Sequence, residues 1–364
     1  MSRESWGVRQ LEKPTLNPSV VPVSVDDDTV HVRAGPWTGP VLTLRASDDG
    51  EVERLFGLLD GTNDLESILG AFDEDHREAV LSVLEKMRRR NLVYDGAAVE
   101  SERGLPQLLL SPGFEEDERA RLGDREALVV SAGDVGRQIA GDLLDAGVGT
   151  IRFAQPLPEA AVDAPGLDAS DRVRRVEAGD LTDAVERADA LVYAADREYP
   201  ALGEEVNRTA HAADTPWLLA QVRGLDGLVG PTVFPGETGC LHCLERRIES
   251  GVDADRYGGF RRALDAAPDA TPAGLACYDR LVAGYAAVDF LHLLAFGRSF
   301  TAGRALTVSF ADLSVAVEDV LRLPRCPVCG RSRGDDRARF VGVKDLADAV
   351  DAGDGTVDAG DGRE

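Results

Sequence analysis

Four of the five cysteines in this sequence of 364 residues are spaced to bind one metal ion. They form two Cys-x-x-Cys pairs, Cys240 with Cys243 and Cys326 with Cys329. Four thiolates at about 2.3 Å from one ion complete the closed tetrahedral site of a structural zinc. Neither pair opens a thioredoxin-like strand and helix, which disfavours a redox-active pair. We therefore predict a structural zinc ion that joins two distant parts of the chain.

Other residues that could take part in chemistry have simpler explanations. Cys277 has no base beside it in the sequence, so a small buried side chain is favoured over a thiol that captures a thioester or thiocarboxylate. His242 stands between the first two cysteines and is expected to be exposed. Trp37 and Trp217 are expected to be packing residues.

The composition is that of an acidic globular protein. The net charge is -25 and 43% of the residues are hydrophobic, enough for a sizeable core. Lysine occurs only as Lys13, Lys86 and Lys344, a usage that indicates a halophilic source, where salt screens the excess charge. The excess of acid argues against nucleic acid as a partner. The first ten residues lack an apolar run, and the apolar segment Leu281 to Phe296 is too short and too polar to span a bilayer. We expect a cytoplasmic protein that contacts no membrane.

The elements that position these residues fall into five segments. Residues 1–13 are predicted to be a flexible lead-in, 14–97 a module of three short strands and three helices, 98–125 a polar connector, 126–344 an α/β sheet domain and 345–364 an acidic disordered tail. The order of elements in the second segment predicts a winged-helix-like module.

A winged-helix-like module can bind DNA or a peptide. Its only basic cluster, Arg88-Arg89-Arg90, suits the negative end of a helix, so DNA binding is disfavoured. A peptide could instead add as a strand beside an exposed sheet edge. The module resembles the PqqD-like RiPP recognition element, which binds the leader of a ribosomal precursor peptide. The resemblance rests on the order of elements and on two segments, Leu58-Leu59-Asp60-Gly61-Thr62 and Leu84-Glu85-Lys86-Met87. That resemblance implies a peptide groove at Val41, Leu42, Thr43, Leu44, Val80, Leu84 and Met87.

A strand, a turn and a helix open the sheet domain and predict a parallel βαβ unit. The turn is a degenerate nucleotide-binding loop, with Ser131 where the first glycine would stand and with Gly133 and Gly136 retained. The second strand ends at Phe153-Ala154-Gln155 without an acid to hold ribose hydroxyls. Because such an acid is usual in dinucleotide sites, dehydrogenase activity is disfavoured.

Residues 126–330 resemble the ThiF/MoeB superfamily, relatives of the ubiquitin-activating enzymes. The resemblance rests on the glycine loop, on Ala190 to Asp196, on Thr238 to Cys243 and on Cys326 to Gly330. It implies a Rossmann-like sheet domain with a zinc site made of four cysteines. Active members adenylate a peptide C-terminus with ATP, and they need a ribose-binding acid, basic residues for the triphosphate and an Asp that holds magnesium.

This sequence departs from the active members at several of those positions. Asp196 stands where the metal-binding Asp would be, but Arg197 replaces the expected Asn. The arginine-rich stretch expected after the second strand is absent, and Pro156 to Ala161 stands in its place. We therefore expect zinc but no ATP as a cofactor and no catalytic residue, with Ser131, Gly133, Gly136 and Asp196 as a degenerate nucleotide loop.

Together the two regions resemble the ThiF-like, leader-peptide-binding partner proteins of azole- and azoline-forming (TOMM) peptide pathways. That resemblance implies a homodimeric, non-catalytic scaffold that recruits a precursor peptide to a YcaO-type, ATP-dependent cyclodehydratase. The alternative is an enzyme similar to the microcin-type ThiF relatives, which adenylate a peptide with ATP. A weaker alternative is a winged-helix regulator with a metal-stabilised effector domain.

Overall fold

The computed structural model describes residues 8, 11–26, 29–36, 41–45, 50–96, 122–267 and 274–330. The chain forms two compact units, residues 1–119 with 342–364 and residues 120–341. Most of the predicted lead-in, Trp37, nearly all of the predicted connector and the predicted acidic tail lie outside the described residues. Because the described parts form helices and a large mixed sheet, the α/β class is confirmed.

The first unit combines a three-stranded antiparallel sheet, of order β2-β3-β4, with three helices and a separate β1-β5 pair. Its strands are β1 (Pro14–Leu16), β2 (Val21–Ser24), β3 (Thr29–Arg33), β4 (Leu42–Arg45) and β5 (Val93–Asp95). Its helices are α1 (Glu51–Leu58), α2 (Leu65–Gly70) and α3 (Arg77–Arg89). The three strands and three helices predicted for this region are therefore present.

One face of the three-stranded sheet forms the core of the first unit. Val32 and Leu42 lie opposite each other on β3 and β4 and are buried, whereas His31 and Thr43 point to the other face and are half-buried. Strands alternate in this way because successive side chains point to opposite faces. Helix α3 covers the inner face with three buried side chains, Val80, Leu84 and Met87.

The second unit is built on an eight-stranded sheet of order β13-β12-β11-β10-β9-β6-β7-β8. Its strands are β6 (Glu126–Ala132), β7 (Thr150–Ala154), β8 (Val173–Val176), β9 (Ala190–Ala195), β10 (Trp217–Arg223), β11 (Asp226–Val233), β12 (Arg304–Ser309) and β13 (Val315–Asp319). β6 to β10 run parallel, and β11 to β13 continue the sheet with antiparallel pairs.

Helices cover both faces of this sheet. They are α4 (Asp134–Asp145), α5 (Pro165–Asp168), α6 (Leu181–Arg187), α7 (Pro200–Ala212), α8 (Leu241–Gly251), α9 (Ala254–Ala266) and α10 (Ala276–Phe296). Helices α4 and α10 pack against each other on one face. Helices α6, α7 and α8 pack on the other, against strand residues such as Leu191 and Trp217. The strand order reverses direction between β6 and β9, which makes the carboxyl ends of these two strands a topological switch point.

A buried carboxylate fixes the carboxyl-terminal half of α10. Asp289 is 3% exposed and accepts hydrogen bonds from the Ser299 and Thr301 hydroxyls, at 3.0 and 2.5 Å, and from the Phe300 backbone N–H at 2.6 Å. Thr232 on β11 extends this network through the Ser299 hydroxyl at 2.7 Å. Burial raises the pKa of Asp289, and the hydrogen bonds oppose that rise. The network therefore joins α10 to the sheet through polar groups that are each satisfied.

Three details differ from the sequence prediction. The sequence near Asp253 to Pro272 has no apolar period and predicts a loop, yet helix α9 forms there without burying a side chain. The amphipathic pattern predicts a segment from Leu244 to Ser250, whereas helix α8 begins at Leu241, so the first cysteine pair lies at its start. Helix α10 begins at Ala276 and has 21 residues, yet no helix among the described residues is both long and apolar enough to cross a membrane.

Candidate functional site

The two cysteine pairs converge at one end of the second unit. Cys240 is the residue before α8 and Cys243 lies in the first turn of that helix, while Cys326 and Cys329 lie in a turn after β13. All four side chains are buried. Their sulfur atoms lie within 4.8 Å of one another, so the structure brings together the four residues that the sequence singled out.

The distances between the sulfur atoms fit one tetrahedral ion. The Cys240–Cys243, Cys240–Cys326 and Cys243–Cys329 pairs are 3.9, 3.6 and 3.4 Å apart. Four thiolates at about 2.3 Å from a zinc ion lie roughly 3.8 Å from one another, whereas a disulfide needs about 2.05 Å. Backbone N–H groups of Leu323 and Cys329 point at the sulfurs of Cys243 and Cys326, at 3.4 and 3.5 Å. The four cysteines therefore fit a closed metal site, which leaves no open position for chemistry.

Contacts around the cysteine cluster hold the two segments together. Arg322 donates to the carbonyl of Gly236 at 2.5 Å and also to that of Cys329, and Arg247 donates to the carbonyl of Leu321 at 2.8 Å. A side chain at Gly239 would overlap the carbonyl of Val320, so glycine allows the two backbones to approach this closely. His242 lies outside the cluster, beside a cavity of about 520 Å³ that Pro327 and Val328 also line.

Loss of one ligand should destabilise the second unit rather than block a reaction. We expect Cys326→Ser to release the metal and to lower the melting temperature by at least about 10 °C, because a structural metal contributes its binding free energy to folding. Metal analysis and calorimetry measure the two effects. The control is Cys277→Ser, which should change neither quantity, because this fifth cysteine is exposed rather than buried as the sequence predicted. A Cys326→Ser protein that lost its metal but kept its melting temperature would contradict this role.

The degenerate nucleotide loop lies at the switch point. The side chain of Asp196, just after β9, accepts hydrogen bonds from the backbone N–H groups of Asp134 at 2.6 Å and Val135 at 2.8 Å. These are the first two residues of α4, whose amino-terminal end carries partial positive charge. Gly133 has a φ of 120°, and a side chain there would overlap the carboxylate of Asp196. The carboxylate thus occupies the place at which this type of loop holds a phosphate.

The rest of the loop is closed by its own side chains. Ser131 is fully buried, and its hydroxyl donates to the carbonyl of Gly133 at 2.8 Å. A side chain at Gly136 would come within 2.5 Å of the Ser131 side chain, so a glycine is required there for packing. Gln155, at the end of the second strand, donates to the carbonyl of Val162 at 3.3 Å. This closure gives a physical reason for a loss of nucleotide binding, which stays a prediction.

Three carboxylates share the crevice at the switch point. Asp279, in the first turn of α10, is 8% exposed, and burial together with the charges of Asp196 and Asp134 raises its pKa to about 6. Burial also raises the pKa of Asp196, and its two backbone donors oppose that rise. Asp134 differs because Arg137 donates to it at 2.6 Å and lowers its pKa. Arg280 adds positive charge beside Asp279.

The raised pKa of Asp279 predicts a defined pH dependence. In the unfolded chain this carboxyl would titrate near 3.9, so between about pH 4 and 6 the folded state holds the extra proton and stability falls as the pH rises. Asp279→Asn should remove this loss. We expect the variant to match the wild type at pH 4 and to exceed it by about 1 kcal/mol at pH 7, after allowance for solvent screening. Unfolding curves across this range measure the difference, and a constant difference would exclude the titration.

A buried group of charges near the same end of the sheet was not identified from the sequence. Arg223, at the end of β10, pairs with Glu198 at 3.1 Å and with Glu245 at 2.8 Å. Arg261 on α9 pairs with the second oxygen of Glu245 at 3.1 Å, and the Tyr257 hydroxyl donates to the same oxygen. These residues lie on four separate elements, so no sequence spacing could have revealed the group.

The residues predicted to bind a peptide lie in the first unit. Leu42, Leu44, Val80, Leu84 and Met87 are all buried in the core of that unit, so their side chains form no open pocket. Val41 and Thr43 are half-buried. Within the described part of the unit, β4 is bonded to β3 alone, which leaves its other edge without a strand. Peptide binding at β4 stays a prediction, and it depends on the backbone edge and on Thr43 rather than on the buried leucines.

The sequence was compared with those of other proteins. No protein-family model matches the sequence. Protein HesA of Leptolyngbya boryana is 26% identical over 261 residues, which cover 65% of this chain and 88% of HesA.

The fold was compared with solved structures. The heterocyclase TruD superposes with a TM-score of 0.60 at 19% identity, covering 88% of this chain and 43% of TruD. A heterocyclase in complex with substrate and cofactor superposes with a TM-score of 0.61 at 18% identity, covering 88% of this chain and 39% of the heterocyclase chain. Escherichia coli MccB with ATP superposes with a TM-score of 0.57 at 16% identity, covering 88% of this chain and all of MccB. The structural neighbours are thus heterocyclase- and MccB-type proteins, and this chain spans less than half of either heterocyclase.

Proposed function

We propose that this protein is a scaffold that binds the leader of a ribosomal precursor peptide and recruits it to a separate YcaO-type cyclodehydratase for azoline or azole formation. The observation that carries the proposal is the crevice at the switch point, where Asp196 fills the phosphate-binding end of α4. A sheet domain of this type whose nucleotide loop is closed by its own side chains is better suited to binding than to adenylation. The metal is proposed to be zinc in a structural role.

The neighbouring structures support this class of function. TruD is a heterocyclase, and MccB has been solved with MccA, with ATP and with an analogue of ATP. We further propose that a YcaO-type protein in the cytoplasm performs the ATP-dependent step, and we assign leader recognition to the first unit, as a winged-helix-like module of the PqqD type. MccB-type adenylation is the competing function.

The free edge of β4 is the proposed leader site. A peptide strand added there would take its backbone hydrogen bonds from β4 and place alternate side chains beside Thr43. Thr43 lies opposite His31, and Val23 on β2 lies opposite the same histidine on the other side. The sheet therefore offers two edges, with one partly exposed residue on each at the same level.

Because Thr43 and Val23 lie at equivalent positions on the two edges, the same substitution at each gives a matched test of the leader site. A fluorescent leader peptide, taken from a precursor gene beside the gene for this protein, should bind, and Thr43→Glu should weaken it at least tenfold because a charge would be buried against the added strand. Val23→Glu, the same change at the other edge, should leave the affinity within about twofold. Anisotropy titration measures both. Loss of binding in Val23→Glu but not in Thr43→Glu would move the site to β2.

Reconstitution separates the scaffold from the adenylating enzyme. With the precursor peptide and a YcaO protein from the same gene neighbourhood, addition of this chain should increase dehydration, observed as a loss of about 18 Da per ring. The chain alone should incorporate no label in ATP–pyrophosphate exchange with the precursor peptide. Exchange by the chain alone would overturn the proposal in favour of adenylation.

An exposed apolar surface supports the proposed homodimer. All five residues of β13 are exposed, and Val315 and Val317 are 47% and 53% exposed. Along α10, Leu281, Tyr285 and Val288 form an exposed stripe spaced by four and three residues. β13 is the last strand of its sheet, and an uncovered apolar edge strand is a template for pairing with another strand.

A second copy of β13 fits this edge. If two copies paired antiparallel about Val317, Glu318 would lie opposite Ala316 and Asp319 opposite Val315, so no acid would face another acid. The β13 edge and the α10 stripe are therefore the surface that we assign to the dimer.

Light scattering tests this assignment. The wild type should be dimeric, and Val317→Asp should yield monomers because it would place two like charges opposite each other at the centre of the pair. Val21→Asp changes a valine of the first unit that is 60% exposed, and it should leave the dimer intact. A monomeric wild type, or a Val317→Asp dimer of unchanged stability, would exclude this surface.

A further inference from the structure

The dipeptide Asp196-Arg197 contacts two elements on opposite sides of the switch point. The carboxylate of Asp196 accepts from the first two N–H groups of α4. The guanidinium of Arg197 donates to the carbonyl of Ala267 at 2.7 Å and to that of Leu264 at 3.4 Å, at the end of α9. Its guanidinium carbon lies 4.5 Å from the centre of the Tyr199 ring. Asp196 therefore contacts the positive, amino-terminal end of α4, and Arg197 contacts the negative, carboxyl-terminal end of α9.

Helix α9 is held in place mainly by polar contacts. None of its side chains is fully buried, and Phe260 is 55% exposed. Besides Arg197, its polar attachments are the ion pairs of Arg261 with Glu245 and Glu204, the bond from the Tyr257 hydroxyl to Glu245 and the bond from the N–H of Ala201 to Asp265 at 3.1 Å. Apolar burial usually supplies most of the free energy that fixes a helix, so the position of α9 depends on these polar contacts more than is usual.

We propose that Asp196-Arg197 is an internal latch: Asp196 is a resident anion that occupies the phosphate site of α4, and Arg197 holds α9 beside the crevice. A phosphate-bearing ligand and the Asp196 carboxylate then compete for the same two N–H groups. The latch goes beyond the proposed scaffold function, because it states which groups keep the crevice closed to a phosphate-bearing ligand.

The competition favours the internal carboxylate. Asp196 is tethered by β9, so it acts at a high effective concentration, whereas a free ligand pays the entropy of association. The glycine at position 133 gives the carboxylate room. Removal of the carboxylate, rather than removal of charge in general, should therefore expose the phosphate site.

The first test is pyrophosphate binding, measured by calorimetry with the full chain. We expect Asp196→Ala to bind inorganic pyrophosphate at least tenfold more tightly than the wild type, and Asp196→Asn to gain less because its amide oxygen can still accept one hydrogen bond. The control Asp134→Ala removes an acidic side chain from the same end of α4 but leaves the Asp196 carboxylate in place, so its affinity for pyrophosphate should stay within about twofold of the wild type. A wild type that binds as tightly as Asp196→Ala, or an Asp134→Ala variant with the same gain, would overturn the proposal.

The second test addresses Arg197 and does not depend on a ligand. Arg256 and Arg262 are exposed on α9 and provide trypsin sites within the helix. We expect Arg197→Ala to raise the rate of cleavage at these sites at least fivefold. Arg246→Ala, which removes an exposed arginine paired with Glu249 on α8, should not change that rate. Equal rates in all three proteins would show that Arg197 does not hold α9.

Both tests require folded protein, which the metal content and the melting temperature of each variant establish. If Asp196→Ala does not fold, the test instead follows the backbone amide NMR signals of Asp134 and Val135 in the wild type. Under the latch these signals do not move when pyrophosphate is added at pH 7, and movement at low millimolar pyrophosphate would overturn the proposal. None of these outcomes depends on leader binding, so the latch and the scaffold function can fail separately.

Discussion

The structure of the second unit depends on one constraint: four buried sulfur atoms must lie within 4.8 Å of one another. Two of them begin α8 and two follow β13, so the cluster fixes the antiparallel end of the sheet against the helices that cover it. The close approach at Gly239 and the two carbonyls held by Arg322 further restrict how these segments can be arranged. Four cysteines this close together can hold one metal ion, and we propose that this ion is structural.

The crevice at the switch point combines the architecture of a nucleotide-binding sheet with a loop that is closed by side chains of the same chain. The strand order, the glycine turn and the helix that follows are those of a nucleotide-binding sheet. The groups that would meet a phosphate are instead paired within the chain, with Asp196 on α4 and Ser131 on the loop. Backbone donors at the start of a helix must be satisfied, and here the chain supplies the acceptor itself. This internal pairing is consistent with a protein that presents a substrate to another protein.

Much of the fold and the cysteine cluster could be predicted from the sequence, and there are physical reasons why the other features could not. The Cys-x-x-Cys spacing identified the metal cluster because local geometry orients both sulfurs. The contact of Asp196 with α4 was not predicted, since it joins residues more than 60 positions apart. Helix α9 was missed because it has no apolar face. Leu44 and Leu84 were assigned to a groove because an apolar period marks a face as buried but does not say whether a core or a ligand covers it.

The separation of the two cysteine pairs also bears on how the chain folds. Cys240 and its partner Cys326 lie 86 positions apart, and closing a loop of that length costs roughly 4 kcal/mol of chain entropy. During synthesis Cys240 and Cys243 emerge long before Cys326 and Cys329, so all four sulfur ligands are present only after β12 and β13 have been made. Closure of the cluster is therefore a late step, and it fixes strands that are made last against a helix that is made much earlier.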